Sequence, residues 1–137
     1  KMLQPKDAMI KIKPEALEIL KKKMNPGQIV LLALDDGSNR YSMMGGTCKI
    51  GADFQLVLLD QPDPEYPIVL GNDAGLKMYT SSDELGYLST GLVLNVRNYV
   101  FSLYDDTGMI DGSVAVNPFH PKALSKAERV ALGAKQC

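Results

Sequence analysis

The chain of 137 residues has the length of one domain and can bury a hydrophobic core, so we predict a single domain over residues 1–137. Its 45% hydrophobic and 23% charged residues are typical of a globular protein and exclude a largely disordered chain. Fifteen Lys and Arg against sixteen Asp and Glu give a net charge of -1, without the basic excess of nucleic-acid-binding proteins. No apolar run approaches the roughly 18 residues that span a bilayer. We therefore expect neither nucleic acid nor a membrane as a partner.

The first half of the sequence predicts a strand, a helix and two further strands. Apolar and polar residues alternate over 8–13, as in a half-buried strand. Pro14 suits the first turn of a helix, and Asn25-Pro26-Gly27 marks its end. The continuous apolar runs 28–34 and 54–59 are typical of buried strands. Three glycines in the stretch 40–52 indicate an irregular loop: Gly45, Gly46 and Gly51.

The second half predicts short strands separated by turns, followed by a helix. Strands are expected over 66–70, 75–80, 92–96, 99–104 and 112–116, with a helical turn at 81–85. Arg97 and Asn98 are predicted to form the turn of a tight hairpin. A final helix is predicted within 121–134, where Ser125 and Glu128 offer a capping box. This order predicts a mainly β or α+β fold and excludes a doubly wound parallel sheet.

Residue patterns that commonly carry enzymatic chemistry are absent or weak, and we expect the protein not to be an enzyme. No glycine-rich phosphate loop leads from a strand into a helix, and the G-x-S-x-G nucleophile motif is missing. The single histidine, His120, is expected to be a surface or helix-start residue and not a general base. The pairs Asp35-Asp36 and Asp105-Asp106 are expected to serve turns, because sequence neighbours at turns seldom share a metal.

Cys48 is the most informative single residue of the sequence. It lies in the glycine-rich stretch 43–48, where a thiol would be accessible and the backbone could close around a ligand. The alternative is a small buried hydrophobic residue. A metal or cluster site normally needs three or four soft ligands, so Cys48 would need a second chain, Met43, Met44 or Cys137 to contribute. Two widely separated cysteines also fit a reducing compartment, and we expect a cytoplasmic protein.

The layout of residues 8–116 is similar to that of a known family. It begins with Met9-Ile10-Lys11-Ile12 and a short helix, continues with the strand 29–34 and the loop that carries Cys48, and reaches the strand 54–59 with Asp60-Gln61-Pro62. Further matching segments follow at 68–70, 75–79 and 112–116. This order resembles the HesB/IscA-like iron–sulphur cluster biosynthesis domain. The resemblance places that core at residues 8–116 and leaves 117–137 as an added C-terminal helical extension.

The resemblance implies a compact β-rich domain of short mixed strands with a helix near its start. It implies a role in holding and passing on iron or an iron–sulphur cluster, often as a homodimer, with iron–sulphur assembly or acceptor proteins as partners. The family uses one loop cysteine and a C-terminal C-x-C pair as ligands. The loop cysteine corresponds to Cys48.

The C-x-C pair of the family has no counterpart near residues 108–110, where it would fall. The expected metal ligands of this chain are therefore Cys48 and Cys137, and the expected cofactor is iron or an iron–sulphur cluster. The missing pair leaves a second hypothesis open, in which the chain binds no cofactor. It would then be a protein-binding or regulatory module that retains the fold.

Overall fold

The computed structural model describes residues 3–42 and 53–119, and in these ranges the chain forms mainly strands. They are β1 (Lys11–Ile12), β2 (Ile29–Leu34), β3 (Phe54–Leu59), β4 (Ile68–Val69), β5 (Met78–Thr80), β6 (Val93–Arg97), β7 (Val100–Asp105) and β8 (Gly108–Pro118). The helices are α1 (Pro14–Lys23) and α2 (Ser82–Leu85), and a short 3-10 helix covers Pro5–Asp7. The predicted mainly β or α+β class is confirmed. The predicted helix within 121–134 lies outside the described residues.

The eight strands form one mixed sheet in the spatial order β1-β6-β7-β8-β3-β2-β5-β4. Three of the pairs are parallel, namely β1 with β6, β2 with β5 and β3 with β8. A backbone bridge beyond β1 and β4 brings the two edges of the sheet together. The N–H of Ile10 donates to the carbonyl of Gly71 at 2.8 Å, and the N–H of Gly71 donates to that of Ala8 at 2.9 Å. The sheet therefore curls into a nearly closed barrel with little free edge.

The interior of this curled sheet holds the main hydrophobic core. Helix α1 contributes Ala16 and Leu20 to it, both fully buried, because these residues lie one turn apart on the same face. Alternate residues of the strands point inward, including Val30, Leu32, Leu56, Leu58, Leu94, Val96, Phe101, Leu103 and Val114. The lysines at the end of α1 stay exposed, at its negative dipole end.

Strands β2 and β3 are buried on both faces, which explains their continuous apolar sequences. One face of each strand enters the main core, and the other belongs to a second cluster outside the barrel. The strand residues of this outer cluster are Ile29, Leu31, Ala33, Val57 and Leu59, and the rings of Tyr41 and Tyr66 cover them. The loops that supply those rings are therefore fixed against the centre of the sheet.

The predicted hairpin between β6 and β7 is present, but its turn lies one residue further along the chain than predicted. Arg97 pairs with Val100 in the ladder, so the two loop residues are Asn98 and Tyr99. Their φ angles are 52° and 64°, the left-handed values of a type I′ turn. Asn tolerates this region, whereas an aromatic residue is strained there. Tyr99 is also 82% exposed, so little packing compensates the strain.

We predict that Tyr99→Gly raises the free energy of unfolding by about 1 kcal/mol, because glycine adopts positive φ without steric cost. Urea unfolding followed by circular dichroism measures the change. Tyr99→Ala is the matched control, since it removes the same ring but keeps the Cβ atom that causes the strain. An equal gain in both variants would assign the effect to the exposed ring and contradict the backbone explanation.

Candidate functional site

The structure fixes both ends of the segment that carries Cys48. The segment itself, residues 43–52, lies outside the described residues, as do Cys137 and His120, so their predicted roles stay predictions. Tyr41 and Ser42 precede the segment, and Asp53 follows it. The described part of the candidate functional site consists of the contacts at these two ends.

Tyr41 anchors the leading end through a buried polar cluster. Its hydroxyl donates a hydrogen bond to the Oδ2 atom of Asp63, and its side chain is almost completely buried. The same carboxylate oxygen accepts a bond from Arg40 Nη2 at 2.7 Å, while Oδ1 accepts the N–H of Glu65 at 2.9 Å. Arg40 Nη2 also lies 3.0 Å from the Tyr41 hydroxyl. One carboxylate thus holds two separate loops together.

The pKa values of this cluster keep its protons in place at neutral pH. Burial raises the pKa of Tyr41 to about 12, and the hydrogen bond to Asp63 adds to the effect. Burial also pushes the pKa of Asp63 upward, but hydrogen bonds from Tyr41, the N–H of Glu65 and Arg40 outweigh it and lower the pKa overall. The tyrosine remains a donor and the aspartate a charged acceptor. The arrangement is that of a structural anchor and not of a proton-transfer pair.

A buried amide pair connects Tyr41 to the sheet. Gln55 on β3 is fully buried, and its Nε2 atom donates to the backbone carbonyl of Tyr41 at 2.8 Å. Its Oε1 atom accepts a bond from Asn117 Nδ2 on β8, also at 2.8 Å. Both halves of the buried amide are therefore satisfied, as a polar group in a dry environment requires. This pair links the leading end of the Cys48 segment to two parallel strands.

The aromatic rings of the outer cluster bring the start of the C-terminal segment to the same place. The Phe119 ring meets Tyr41 edge to face, with centroids 4.7 Å apart. Tyr66 packs on the Tyr41 ring at 5.7 Å. The N–H of Phe119 donates to the carbonyl of Leu58 at 3.1 Å, which extends the pairing of β8 with β3. The chain leading to Cys48 and the chain leading to Cys137 thus leave from neighbouring points.

The trailing end of the Cys48 segment is held by backbone and carboxylate contacts. The carbonyl of Asp53 accepts the N–H of Asp35 at 2.7 Å, which continues the ladder beyond β2 and β3. The N–H of Phe54 donates to Asp111 Oδ2 at 2.7 Å, and Ser113 N–H donates to Asp111 Oδ1 at 3.0 Å. Asp111 is 1% exposed. Both ends of the segment are therefore bound to the same rigid sheet.

Three residues of the acidic pairs, Asp36, Asp105 and Asp106, accept hydrogen bonds in turns and loops, as the sequence predicts. Asp105 Oδ2 accepts the N–H of Ser89 at 2.8 Å, and its Oδ1 atom accepts bonds from Thr107 N–H and Thr107 Oγ1. Asp106 accepts Thr90 Oγ1 at 3.0 Å, and Asp36 accepts the N–H of Ser38 at 2.9 Å. Within residues 3–42 and 53–119, no group of three or more His, Cys, Asp or Glu side chains is arranged to hold a metal ion.

A polar cleft of about 320 Å³ lies beside this cluster, between the loop 38–40, Glu65, Tyr66 and the start of α2. Glu84 is the buried acid at its wall, and it accepts the N–H of Leu34 at 2.9 Å and the hydroxyl of Ser81. Burial raises the pKa of Tyr66, and the negative charge of Glu84 adds to this. Glu84 is thus committed to joining α2 to β2.

Arg40, Tyr41, Asp63 and Gln55 are residues of the site that were not predicted from the sequence. Two signals in the sequence point toward them. Asp63 lies between two prolines, which favour a rigid loop and an aspartate with a fixed direction. Gln55 is a polar residue inside a continuous apolar strand, and such a residue needs a buried partner.

Comparison with known proteins assigns the chain to a family. The sequence model of the family described as iron-sulphur cluster biosynthesis matches residues 8–118. The structure is similar to that of a proposed Fe–S biosynthesis protein from Lactobacillus acidophilus, with a TM-score of 0.69 and 29% identity, covering 90% of this chain and 92% of that one. No curated protein gives a significant match.

A second solved structure supports the fold alone. It is that of a proposed Fe–S biosynthesis protein from Lactobacillus salivarius, described as having a novel protein fold. The TM-score is 0.62 at 22% identity, over 81% of this chain and 98% of that chain.

Because the family model covers most of the sequence, the chain belongs to the iron–sulphur cluster biosynthesis family, and the resemblance found in the sequence is confirmed. None of the described helices is long and apolar enough to span a bilayer.

We predict that Asp63→Asn lowers the free energy of unfolding by about 1–3 kcal/mol at pH 7, because Tyr41 and the N–H of Glu65 lose a charged acceptor. The lowered pKa of Asp63 gives a contribution that is present above the unfolded value of about 4 and is lost as the pH falls through the folded value. The difference between the native chain and the variant should therefore shrink below pH 4.

Thermal unfolding at several pH values between 3 and 8 measures this difference. Asp73→Asn removes an exposed carboxylate and is the matched control, which should leave stability unchanged across the range. A difference between the native chain and Asp63→Asn that grows as the pH falls would contradict the assignment.

Proposed function

We propose that the protein holds iron or an iron–sulphur cluster and passes it to acceptor proteins, with the thiolate of Cys48 as a ligand and without catalytic turnover. The observation that carries the proposal is the position of Cys48, which is the single cysteine within the matched residues 8–118. A thiolate is the ligand that iron–sulphur clusters prefer. The cargo is a substrate to be transferred and not a group retained by the protein.

The anchored ends of the Cys48 segment support this role. Tyr41 before the segment and Phe54 after it are both fixed by hydrogen bonds, so the chain enters and leaves the segment at defined positions. Preorganised supports of this kind reduce the entropy lost when a ligand binds. The anchor residues themselves supply no thiolate, and the cargo depends on the segment between them.

The number of thiols supports a site shared between two chains. Each chain has two cysteines, whereas a [2Fe–2S] cluster takes about four cysteine ligands. Tyr41 and Phe119 are in ring contact, so the segments leading to Cys48 and Cys137 start close together. We propose that Cys137 is the second ligand and that a homodimer supplies the full set. Free thiols of this kind suit the reducing cytoplasm, where we place the protein.

Anaerobic reconstitution with iron and sulphide tests the proposal. The native chain should develop visible absorbance and bind about one iron per chain, as expected for a [2Fe–2S] cluster shared by two chains. Cys48→Ala should lose both signals, and Cys137→Ala should lower bound iron at least about twofold. Light scattering after size-exclusion chromatography should find the loaded protein as a dimer.

Visible absorbance and bound iron also provide the control and the result that would contradict the proposal. Ser42→Ala, which lies on the leading end and carries no metal-binding side chain of comparable softness, should retain the absorbance. Equal amounts of bound iron in the native chain and in Cys48→Ala would show that Cys48 is not a ligand.

The second candidate function is a protein-binding or regulatory module that has lost metal binding. The observation in its favour is the missing C-x-C pair. A native chain that binds no iron and forms no chromophore under reconstitution would support this function and contradict the proposal of an iron or cluster carrier.

A further inference from the structure

The outer face of β1, β6, β7 and β8 is covered by neither hydrophobic cluster of the described residues. Residues Leu94, Val96, Phe101 and Leu103 point into the main core, so their sequence neighbours point outward. The opposite side of the barrel differs, because Tyr41 covers the outer face of β2 and β3. We call the outer surface of β1, β6, β7 and β8 the open face.

A row of three largely apolar side chains, Val93, Tyr104 and Met109, crosses the open face and ends at Lys11. The ladder pairs Lys11 with Val93, Val93 with Tyr104, and Tyr104 with Met109, so these four residues lie side by side on neighbouring strands. Val93 and Tyr104 are half-buried, and Met109 is 65% exposed. Directly paired side chains of this kind form a continuous surface.

Further exposed apolar residues lie on the same side of the sheet, beyond the polar pair of Asn95 and Ser102 that separates them from this row. Val100 pairs with Arg97 on the same face and is 46% exposed, and the strained Tyr99 projects from the adjoining hairpin turn. Met9, two residues before Lys11, is 63% exposed. Four of the six exposed large hydrophobic residues in the described ranges thus belong to the open face or its rim. Such concentration is typical of an interaction surface.

The charges of the open face have one sign. Lys11 and Arg97 are exposed on its strands, and Lys13 follows β1. The two ion pairs within the described residues, Lys22 with Glu18 and Arg40 with Asp63, involve none of these cations.

The carboxylates of β7 and β8 do not offset these charges. Asp105 and Asp111 point inward and are 7% and 1% exposed, and the exposed Asp106 in the turn beyond β7 is a single carboxylate against the three cations. A chain with a net charge of -1 thus presents a locally positive apolar surface.

We propose that the open face binds an acidic protein partner that places an apolar side chain against Val93, Tyr104 and Met109. Carboxylates of the partner would pair with Lys11 at the edge of the apolar row and with Lys13 and Arg97 further along the face. Complementary charge of this kind steers association and sets orientation, while the apolar row supplies affinity. A second copy using the same face would bring like charges together, which disfavours a symmetric dimer here.

The proposal does not depend on metal binding, and its test uses the full chain without iron. The probe is a random copolymer of glutamate and tyrosine in a 4:1 ratio, and the matched probe contains lysine in place of glutamate. Amide chemical shifts in a ¹⁵N-labelled sample should change mainly along β1, β6, β7 and β8. Affinity should fall as salt is raised, because the attraction is partly electrostatic.

Variants assign the binding to the open face. Lys11→Glu with Arg97→Glu should weaken copolymer binding about tenfold or more, and Met109→Ser should weaken it about threefold without changing the salt dependence. The matched control is Lys23→Glu with Lys77→Glu, which changes the net charge equally at exposed positions outside the four strands and should bind like the native chain. Circular dichroism checks that every variant is folded.

Three outcomes would overturn the proposal. An equal loss in the control variant would mean that net charge alone drives binding. Tighter binding of a thymidine oligonucleotide, lost in Lys11→Glu with Arg97→Glu, would assign the face to nucleic acid. Self-association of the native chain that the same double variant abolishes would make a second copy the occupant.

Discussion

The buried hydrogen bond between Tyr41 and Asp63 is the contact on which the arrangement around the candidate site depends. It holds the outer aromatic cluster over β2 and β3. That cluster buries the outer face of both strands, whose inner face lies in the main core. Without it, the buried tyrosine hydroxyl would lose its acceptor, and Asp63 would keep only the bonds from Arg40 and the N–H of Glu65, which is costly for groups in a largely apolar environment. The same bond holds the chain that enters the Cys48 segment, so the stability of the sheet and the support of the site have a common origin.

Much of the fold follows from local sequence patterns. The apolar runs of β2 and β3 and the proline at the start of α1 specify those elements almost to the residue, because burial on both faces and a fixed φ leave few alternatives. The predicted hairpin turn lies one residue before the observed one. Tyr99 occupies a turn position that favours glycine, so its residue type does not mark the turn in the sequence. Closure of the sheet through Gly71 could not be predicted, since pairing over such a separation leaves no periodic signal in the sequence.

The candidate site is less accessible to prediction from sequence. Cys48 can be selected from the sequence because a thiol can bind metal. The turn roles of Asp36, Asp105 and Asp106 can be predicted from the turn-forming residues beside them in the sequence. The contact of Tyr41 with Asp63 spans separate loops, and neither residue belongs to a motif. The chemistry of a site is thus partly visible in single residues, whereas the framework that positions it is a property of the folded chain.

The closed sheet also constrains the order in which the molecule folds. Strand β1 pairs with β6, and Met9 bridges to Gly71, so the N-terminal strand has no partner until more than half of the chain is available. The antiparallel hairpin of β6 and β7 is local, and it can form early at small entropic cost. The closing contacts join distant parts of the chain and come late. During synthesis on the ribosome, residues 8–12 would therefore wait unpaired while the rest of the barrel assembles.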